Sequence, residues 1–583
     1  MNIAWIRVTW RLSAGLVVAA LLLAGCGGDR DLSAPQSPIG PSAVSGTAAA
    51  GAAIAGGTVE IRCWVGAAST ITAADGSYQT PMPQDAEWPC VLRVTASDGS
   101  KLHSVLAPDE STANITPVTE LVVTRLAKGD AADYFDAFDE VAAEELYFTD
   151  IAAEADAVVA ILAAAGVDFG PDTTVSVLTG ELVAAHGGQP GNAYDQKLDE
   201  LAAKLAASGT TLAILADEVA RSAPTDAQAG LSSRPALASE LLLAPTAPNC
   251  LALRSGSYRW LVLASGGVST DVVTLNAATL TLTASSGAVD QWSANGDCAF
   301  TTGAGQPAVV SQAGVAVVRV AAGAGFASAL LFPEQVLRDG EGAPDAAANV
   351  AQLAGNWNDI ALQRAPGGGS VGLRTSTFTL NGAGSVRALT TCSAATSGCQ
   401  TLPLDDLPAI SFAYDATDGG FNVVNATEGS SARAFAYRAG GGELMLVTLS
   451  ADGQLAFGTR QLAASLPAAG SVQLSWMLAL DSGLSAPASF VDGDSSVASV
   501  DEVQMSYELT AVIGTGLSRP ESILLNQPRD GYPYRPRQTV TDSHGAPSVV
   551  SEQVWLPLLG MGLMPLGGVA DNGLTLSVDK HGS

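Results

Sequence analysis

The chain has 583 residues, 47% of them hydrophobic, and a net charge of -30 from 57 acidic and 27 basic side chains. That apolar fraction excludes a disordered chain, and at roughly 100–200 residues per domain the length fits about three to five domains. The charge excludes nucleic acid as a partner, because its binding draws on clustered cations and no basic stripe is visible.

Arg7 and Arg11 precede an apolar run over 12–24 that stops at small residues directly before Cys26. This is the layout of a secretory signal. Leu23-Ala24-Gly25-Cys26 resembles a bacterial lipobox. The resemblance implies a signal peptide over 1–25, cleavage before Cys26, and acylation of that cysteine. Gly27 in place of an aspartate favours the outer membrane, with the protein facing the periplasm or the cell surface. The competing reading of the run is an uncleaved anchor helix, or an ordinary signal peptide with a chance cysteine. No second span is visible: 309–332 contains Gln312, Arg319 and three glycines and reads as a buried β-hairpin, while 555–570 is broken by Pro557 and Pro565.

Seven cysteines leave six once Cys26 is acylated. In an oxidising compartment these read as disulfides, and proximity within the expected domains selects Cys63 with Cys90, Cys250 with Cys298, and Cys392 with Cys399. Free buried thiols are the alternative.

The Gly, Asp, Ser and Pro composition over 26–44 reads as a flexible tether. In 45–113, Thr58, Val59 and Ile61 favour a strand and Asp75-Gly76 a tight turn. Thr72-Ala-Ala-Asp75-Gly76-Ser-Tyr78 resembles the turn of the carboxypeptidase regulatory-like, or transthyretin-like, β-sandwich. That likeness implies a non-catalytic structural or binding module, with Cys63 and Cys90 as its staple.

A helical bundle of four or five helices is expected over 114–223. Thr116 can cap its first helix, Pro117 suits the first helical position, and Gly129 can end it. Further helices are predicted over 151–165, 175–185, 193–207 and 210–221 from the period of their apolar residues. Asp133, Asp136, Asp139, Glu140, Glu144 and Glu145 lack the alternation and central glycine of a calcium loop and read as a solvated face.

A linker over 224–247 leads to β-rich sequence, read as one unit over 248–345 and a second over 346–466. Leu253-Arg-Ser-Gly256-Ser-Tyr258 is echoed by Leu353-Ala-Gly355-Asn-Trp357, and Thr279-Leu-Thr-Leu by Thr377-Phe-Thr-Leu. An offset of about 100 residues suits tandem β-barrels or sandwiches. Gly355, Trp357 and the late Arg460 resemble the pattern of lipocalin and avidin-like barrels. The resemblance implies that Trp357 closes the barrel floor and Arg460 lies across it. Residues 467–583 add further strands, either a third unit or the completion of the second. The fold class expected is therefore multidomain and mainly β: sandwich, central helical bundle, then tandem barrel or sandwich units.

His103, His186, His544 and His581 are scattered, without metal-ligand spacing, and no cofactor fingerprint is present. Gly493-Asp494-Ser495 resembles the opening motif of the Gly-Asp-Ser hydrolases. It falls late in the chain and lacks a following Asp-x-x-His, and a polar loop between strands is the competing reading. Trp260, Trp292, Trp357, Trp476 and Trp555 can line a cavity or fill cores. The leading expectation is a non-catalytic envelope lipoprotein that binds a small molecule or an envelope or cell-surface protein, or serves as a scaffold. The alternative is a secreted-type hydrolase using Ser495.

Cys26→Ser should move the protein from membrane pellets into the soluble envelope fraction, since no other segment reads as an anchor. A variant that still sediments with membranes refutes the lipobox.

Overall fold

The computed structural model describes residues 41–108, 110–169, 176–223, 234–264, 267–322, 325–334, 346–364, 370–392, 397–450, 454–480, 490–513, 517–568 and 573–580. The expected signal peptide, Cys26, most of the tether and His581 lie outside the described residues. The fold is mainly β, with a sandwich, a helical bundle and three barrels in chain order.

In the sandwich, a sheet ordered Ala67–Ile71, Thr58–Val65, Glu87–Thr95, Lys101–Leu106 accompanies a two-stranded sheet of Ala43–Thr47 and Ser77–Pro81. Alternation along Thr58–Val65 buries Val59, Ile61 and Cys63, which join Tyr78, Trp88 and Leu92 in one core. Cys63 stands opposite Cys90 in the strand register and is bonded to it. Gly76 takes a φ of 79°, and a Cβ there would sit 2.5 Å from the Ala48 carbonyl oxygen. Only glycine fits both conditions.

Among the described residues the bundle has six helices: α1 Pro117–Ala127, α2 Ala131–Asp136, α3 Glu140–Phe148, α4 Ile151–Ala164, α5 Ala193–Ser208 and α6 Leu212–Arg221. Thr116 forms a capping box with Thr119, and Pro117 opens α1. The left-handed residue that ends α1 is Lys128, at φ 51°; Gly129 follows it and donates to the Thr124 carbonyl at 3.2 Å. Two of the clustered carboxylates have structural partners: Asp139 caps α3 and Asp136 pairs with Arg93 at 2.7 Å.

The helix expected over 175–185 is absent from its described part, 176–185. Its carbonyls serve other segments. Val177 O accepts the Tyr194 hydroxyl at 2.6 Å, Leu178 O accepts the Asn114 backbone N–H at 2.7 Å, and Gly180 O accepts Asn114 Nδ2 at 2.7 Å. A helix would consume these acceptors internally.

Barrel I runs from Gly256–Ala264 to Gly325–Pro333, and these first and last strands pair with each other, Trp260 opposite Leu331. Between them each strand pairs with the next, and the fourth line divides at Trp292: Val289–Gln291 pairs backwards and Ser293–Gly296 forwards. Barrel II repeats the plan from Gly355–Arg364 to Leu455–Arg460, Trp357 opposite Arg460. Its fourth line divides into Cys399–Thr401 and Ile410–Asp415, and Phe412 N–H donates back to Gly384 O at 2.8 Å.

Residues 467–583 do not complete barrel II; their described strands form barrel III. Val472–Gln473 and Ser475–Ala479 run along Val491–Asp492 and Ser495–Asp501 in one continuous register, Gln473 opposite Ser495 and Trp476 opposite Asp492. The last strand, Gly573–Asp579, pairs with Ser475–Ala479 and closes the ring.

The repeat between the first two barrels is real at its opening. Tyr258 Oη donates to Arg254 O at 2.7 Å, and Trp357 Nε1 donates to Leu353 O at 2.8 Å, each reaching four residues back. The echo at Thr279 is a register slip. Gly256 pairs with Leu275 and Gly355 with Leu380, so Val273-Thr-Leu-Asn276 is the counterpart of Phe378-Thr-Leu-Asn381, and 279–283 belongs to the following turn and strand.

The described part of the expected linker, 234–247, is a core element. Ala236 and Leu237 are buried; Ala236 N–H donates to Gly560 O, and its carbonyl accepts Gly440 N–H. The turn before the next-to-last strand of each barrel converges here. Tyr437 Oη reaches Ala313 O at 2.7 Å, and Cβ positions built on Gly560 and Gly562 fall 3.0 Å from Ala439 Cβ and 3.5 Å from Ser311 Cβ.

Trp357 and Arg460 form the floor of barrel II. The guanidinium lies 4.3 Å from the indole and donates to the carbonyls of Gln352, Leu353 and Ala354 at 2.6–3.1 Å. Burial, with Arg438 nearby, pushes its pKa down to about 10. Gly355 keeps the approach open, since a Cβ would lie 2.8 Å from Arg460 Nη1. In barrel I, Pro333 occupies the opposing position to Tyr258. Arg460→Met should take this donor from the Gln352 and Ala354 carbonyls, while Leu353 O keeps Trp357 Nε1, at a cost of about 2–3 kcal/mol. Hydrogen exchange along Gly355–Arg364 reads this, and unchanged protection contradicts it.

Candidate functional site

Strand residues alternate between the lumen and the outside of a barrel, so the inward residues decide whether it is solid or hollow. Barrel II is solid: Trp357 stacks on Phe378 and Phe378 on Phe412, each pair 6.4 Å apart, with Phe421 fully buried beside them. Barrel I buries Trp292 against Phe300 at 5.8 Å. Barrel III instead presents Ser475, Ser495, Ala511 and Ser577 to its interior, and a cavity of about 520 Å³ remains.

Leu509, Trp555 and Leu566 give this cavity apolar walls. A fixed ion pair is set into them. Glu521, 2% exposed, accepts Arg535 Nη1 at 2.7 Å and Arg519 Nε at 2.6 Å. Arg535 also donates to Ser551 O through Nε and Nη2 at 3.3 and 3.1 Å. Each charge thereby keeps partners after leaving water, the condition for burying it.

Other parts of the chain form the rim. Arg221, at the end of α6, pairs with Asp217 at 2.7 Å and donates to Gln312 Oε1 at 3.2 Å; Gln312 Nε2 donates to Lys580 O at 3.0 Å. Arg234 lies nearby, its pKa lowered by burial and then by Arg221. Burial raises the Asp579 pKa, opposed by a hydrogen bond from Gln473.

Ser495 lines the cavity. Its neighbour Asp494 takes the Lys580 ammonium at 3.1 Å, and Lys580 also holds Asp492 and lies 5.8 Å from the Trp476 ring. Gly493 passes so close to Met477 that a Cβ would lie 2.5 Å from its Sδ. The Gly-Asp-Ser motif thus stands at a close crossing of two strands, and no histidine among the described residues lines the cavity. His103 binds Glu120 at 2.9 Å, His186 binds Ala184 O at 2.9 Å, and the His544 N–H donates to Asp542 in a hairpin turn at 2.9 Å.

Of the five tryptophans named as cavity or core candidates, Trp555 lines the cavity, while Trp292 and Trp357 fill cores and Trp260 and Trp476 pack partly buried against one. Sequence reasoning missed Glu521 and Arg535 as cavity groups. The available signal was small residues at alternate positions, as in Gly493, Ser495 and Val497, where a filled barrel places aromatics.

The chain matches no family model and no curated protein. Among solved structures, it is similar over 39% of its length to 96% of a protein of unknown function from the DUF3598 family of Nostoc punctiforme, at 13% identity and a TM-score of 0.15.

Proposed function

We propose that this is a non-catalytic, lipid-anchored cell-envelope protein whose third barrel binds a small, mostly apolar molecule carrying a polar group. The hollow interior of barrel III carries the reading. Its volume of about 520 Å³ falls within the roughly 300–1,000 Å³ of small-molecule sites, and apolar walls with a few fixed polar groups are the usual composition of such sites. The Cys26 motif supports an anchor in the outer membrane. The three disulfides among the described residues support an oxidising compartment. An envelope or cell-surface protein is the second partner class, with the N-terminal sandwich as the module that would meet it.

The hydrolase reading keeps one observation in its favour, the place of Ser495 in the cavity wall. Both readings meet in one experiment. The purified full-length protein should take up a fluorescent fatty-acid analogue, with energy transfer from Trp555. Ala511→Trp should fill the lumen and weaken uptake about tenfold or more, whereas Ser495→Ala should leave uptake and any detected ester hydrolysis unchanged. Uptake untouched by Ala511→Trp removes the cavity as the site, and hydrolysis lost in Ser495→Ala restores the enzyme.

Asp579 adds a pH test. A carboxyl whose folded pKa is raised favours the folded state when protonated. Its stability contribution is fully present below the unfolded pKa, near 3.8, and is lost as pH rises through the raised folded value. Asp579→Asn should therefore raise the melting temperature at pH 7 and change it little at pH 3; equal shifts at both would contradict the raised pKa.

A further inference from the structure

We infer that the Cys392–Cys399 disulfide is a thiol-exchange site, opened by a dithiol that attacks Cys399 and expels Cys392 as the thiolate. The three disulfides differ in what surrounds their sulfurs. Cys63, Cys90, Cys250 and Cys298 are all buried, at 8%, 0%, 3% and 1% exposure, and Cys392 is at 0%. Cys399 alone of the six described cysteines is exposed.

The buried partner has a cation beside it. Arg529, in the loop of barrel III between Leu517–Leu524 and Tyr534–Arg535, crosses to barrel II and donates through Nη1 to Cys392 Sγ at 2.9 Å. That loop is pinned in place. Tyr532 Oη lies 2.8 Å from both Asp359 O and Ser376 O, Asn358 Nδ2 donates to Asp530 O at 2.7 Å, and the Arg529 guanidinium lies 5.5 Å from the Tyr532 ring.

These positions divide the roles of the two sulfurs. An incoming thiolate reaches only Cys399 Sγ. A new S–S bond forms there, the Cys392–Cys399 bond breaks, and its electron pair stays on Cys392 Sγ as a thiolate facing Arg529. A neighbouring arginine lowers a thiol's pKa, and a leaving thiol of lower pKa departs faster. The second thiol of the attacking dithiol, as its thiolate, then displaces Cys399. The reductant leaves with an internal disulfide, and two electrons have passed to the cysteine pair. A monothiol lacks this internal second step, so one molecule of it leaves a mixed disulfide on Cys399 that only a second molecule can release.

Glutathione is therefore a suitable probe. The full-length protein would be incubated with it, quenched with acid, alkylated and mapped by peptide mass. Glutathione should be found on Cys399 with Cys392 free, forming at least tenfold faster than either other disulfide opens. Equal rates for the three bonds, or glutathione on Cys392, would overturn the proposal. Arg529→Gln should slow opening about fivefold, because the leaving thiolate loses its neighbouring cation, and Arg529→Lys should recover most of the rate. If Arg529 merely held the loop down, its removal would loosen the loop and speed exchange; that result, or an unchanged rate, would overturn its assignment.

Discussion

The architecture depends on pairing between the first and last strands of each barrel. Trp260 meets Leu331, Trp357 meets Arg460, and Trp476 meets Val578. Each pairing closes a long loop of chain and must recover that entropy from the ladder it completes. In return it hides two sheet edges that would otherwise offer unpaired N–H and C=O groups to other chains. Closure also creates the lumen, so a single set of hydrogen bonds determines both whether the barrel resists aggregation and whether it has an inside.

What fills the lumen is a separate matter of side-chain volume. The aromatic stack of Trp357, Phe378 and Phe412 makes barrel II a packed core, and Arg460 seals its floor. Serine and alanine at inward positions leave barrel III open. The two share strand order but not content. A close-packed interior resists changes of even one methylene, whereas a cavity wall tolerates more variation until a ligand imposes its own shape.

Several features were legible in the sequence because each is local. The helix cap at Thr116 and the turn at Asp75-Gly76 need only a few neighbouring residues, and the Trp357–Arg460 floor was reachable through a family pattern. Features that depend on distant partners were not. The apolar spacing over 175–185 looks helical, yet Asn114 and Tyr194 claim the carbonyls of its described part. The residues 234–247 read as a linker, but three hairpin turns from different barrels converge on that stretch and bury it. The cavity escaped notice because its signature is a lack of bulk, and serine at alternate positions looks like an exposed strand face until the ring is known to close.

The hydrogen bond from Gln312 to the Lys580 carbonyl ties the rim of the cavity to the far end of the described chain. The strand that closes barrel III, Gly573–Asp579, is synthesised after every other described strand. A chain emerging from its N-terminus therefore passes through a stage in which the sandwich, the helices and the first two barrels can be complete while the third lumen is still an open trough. The third lumen is thus completed only by this strand, and a chain lacking it would carry the other described fold units without a closed third barrel.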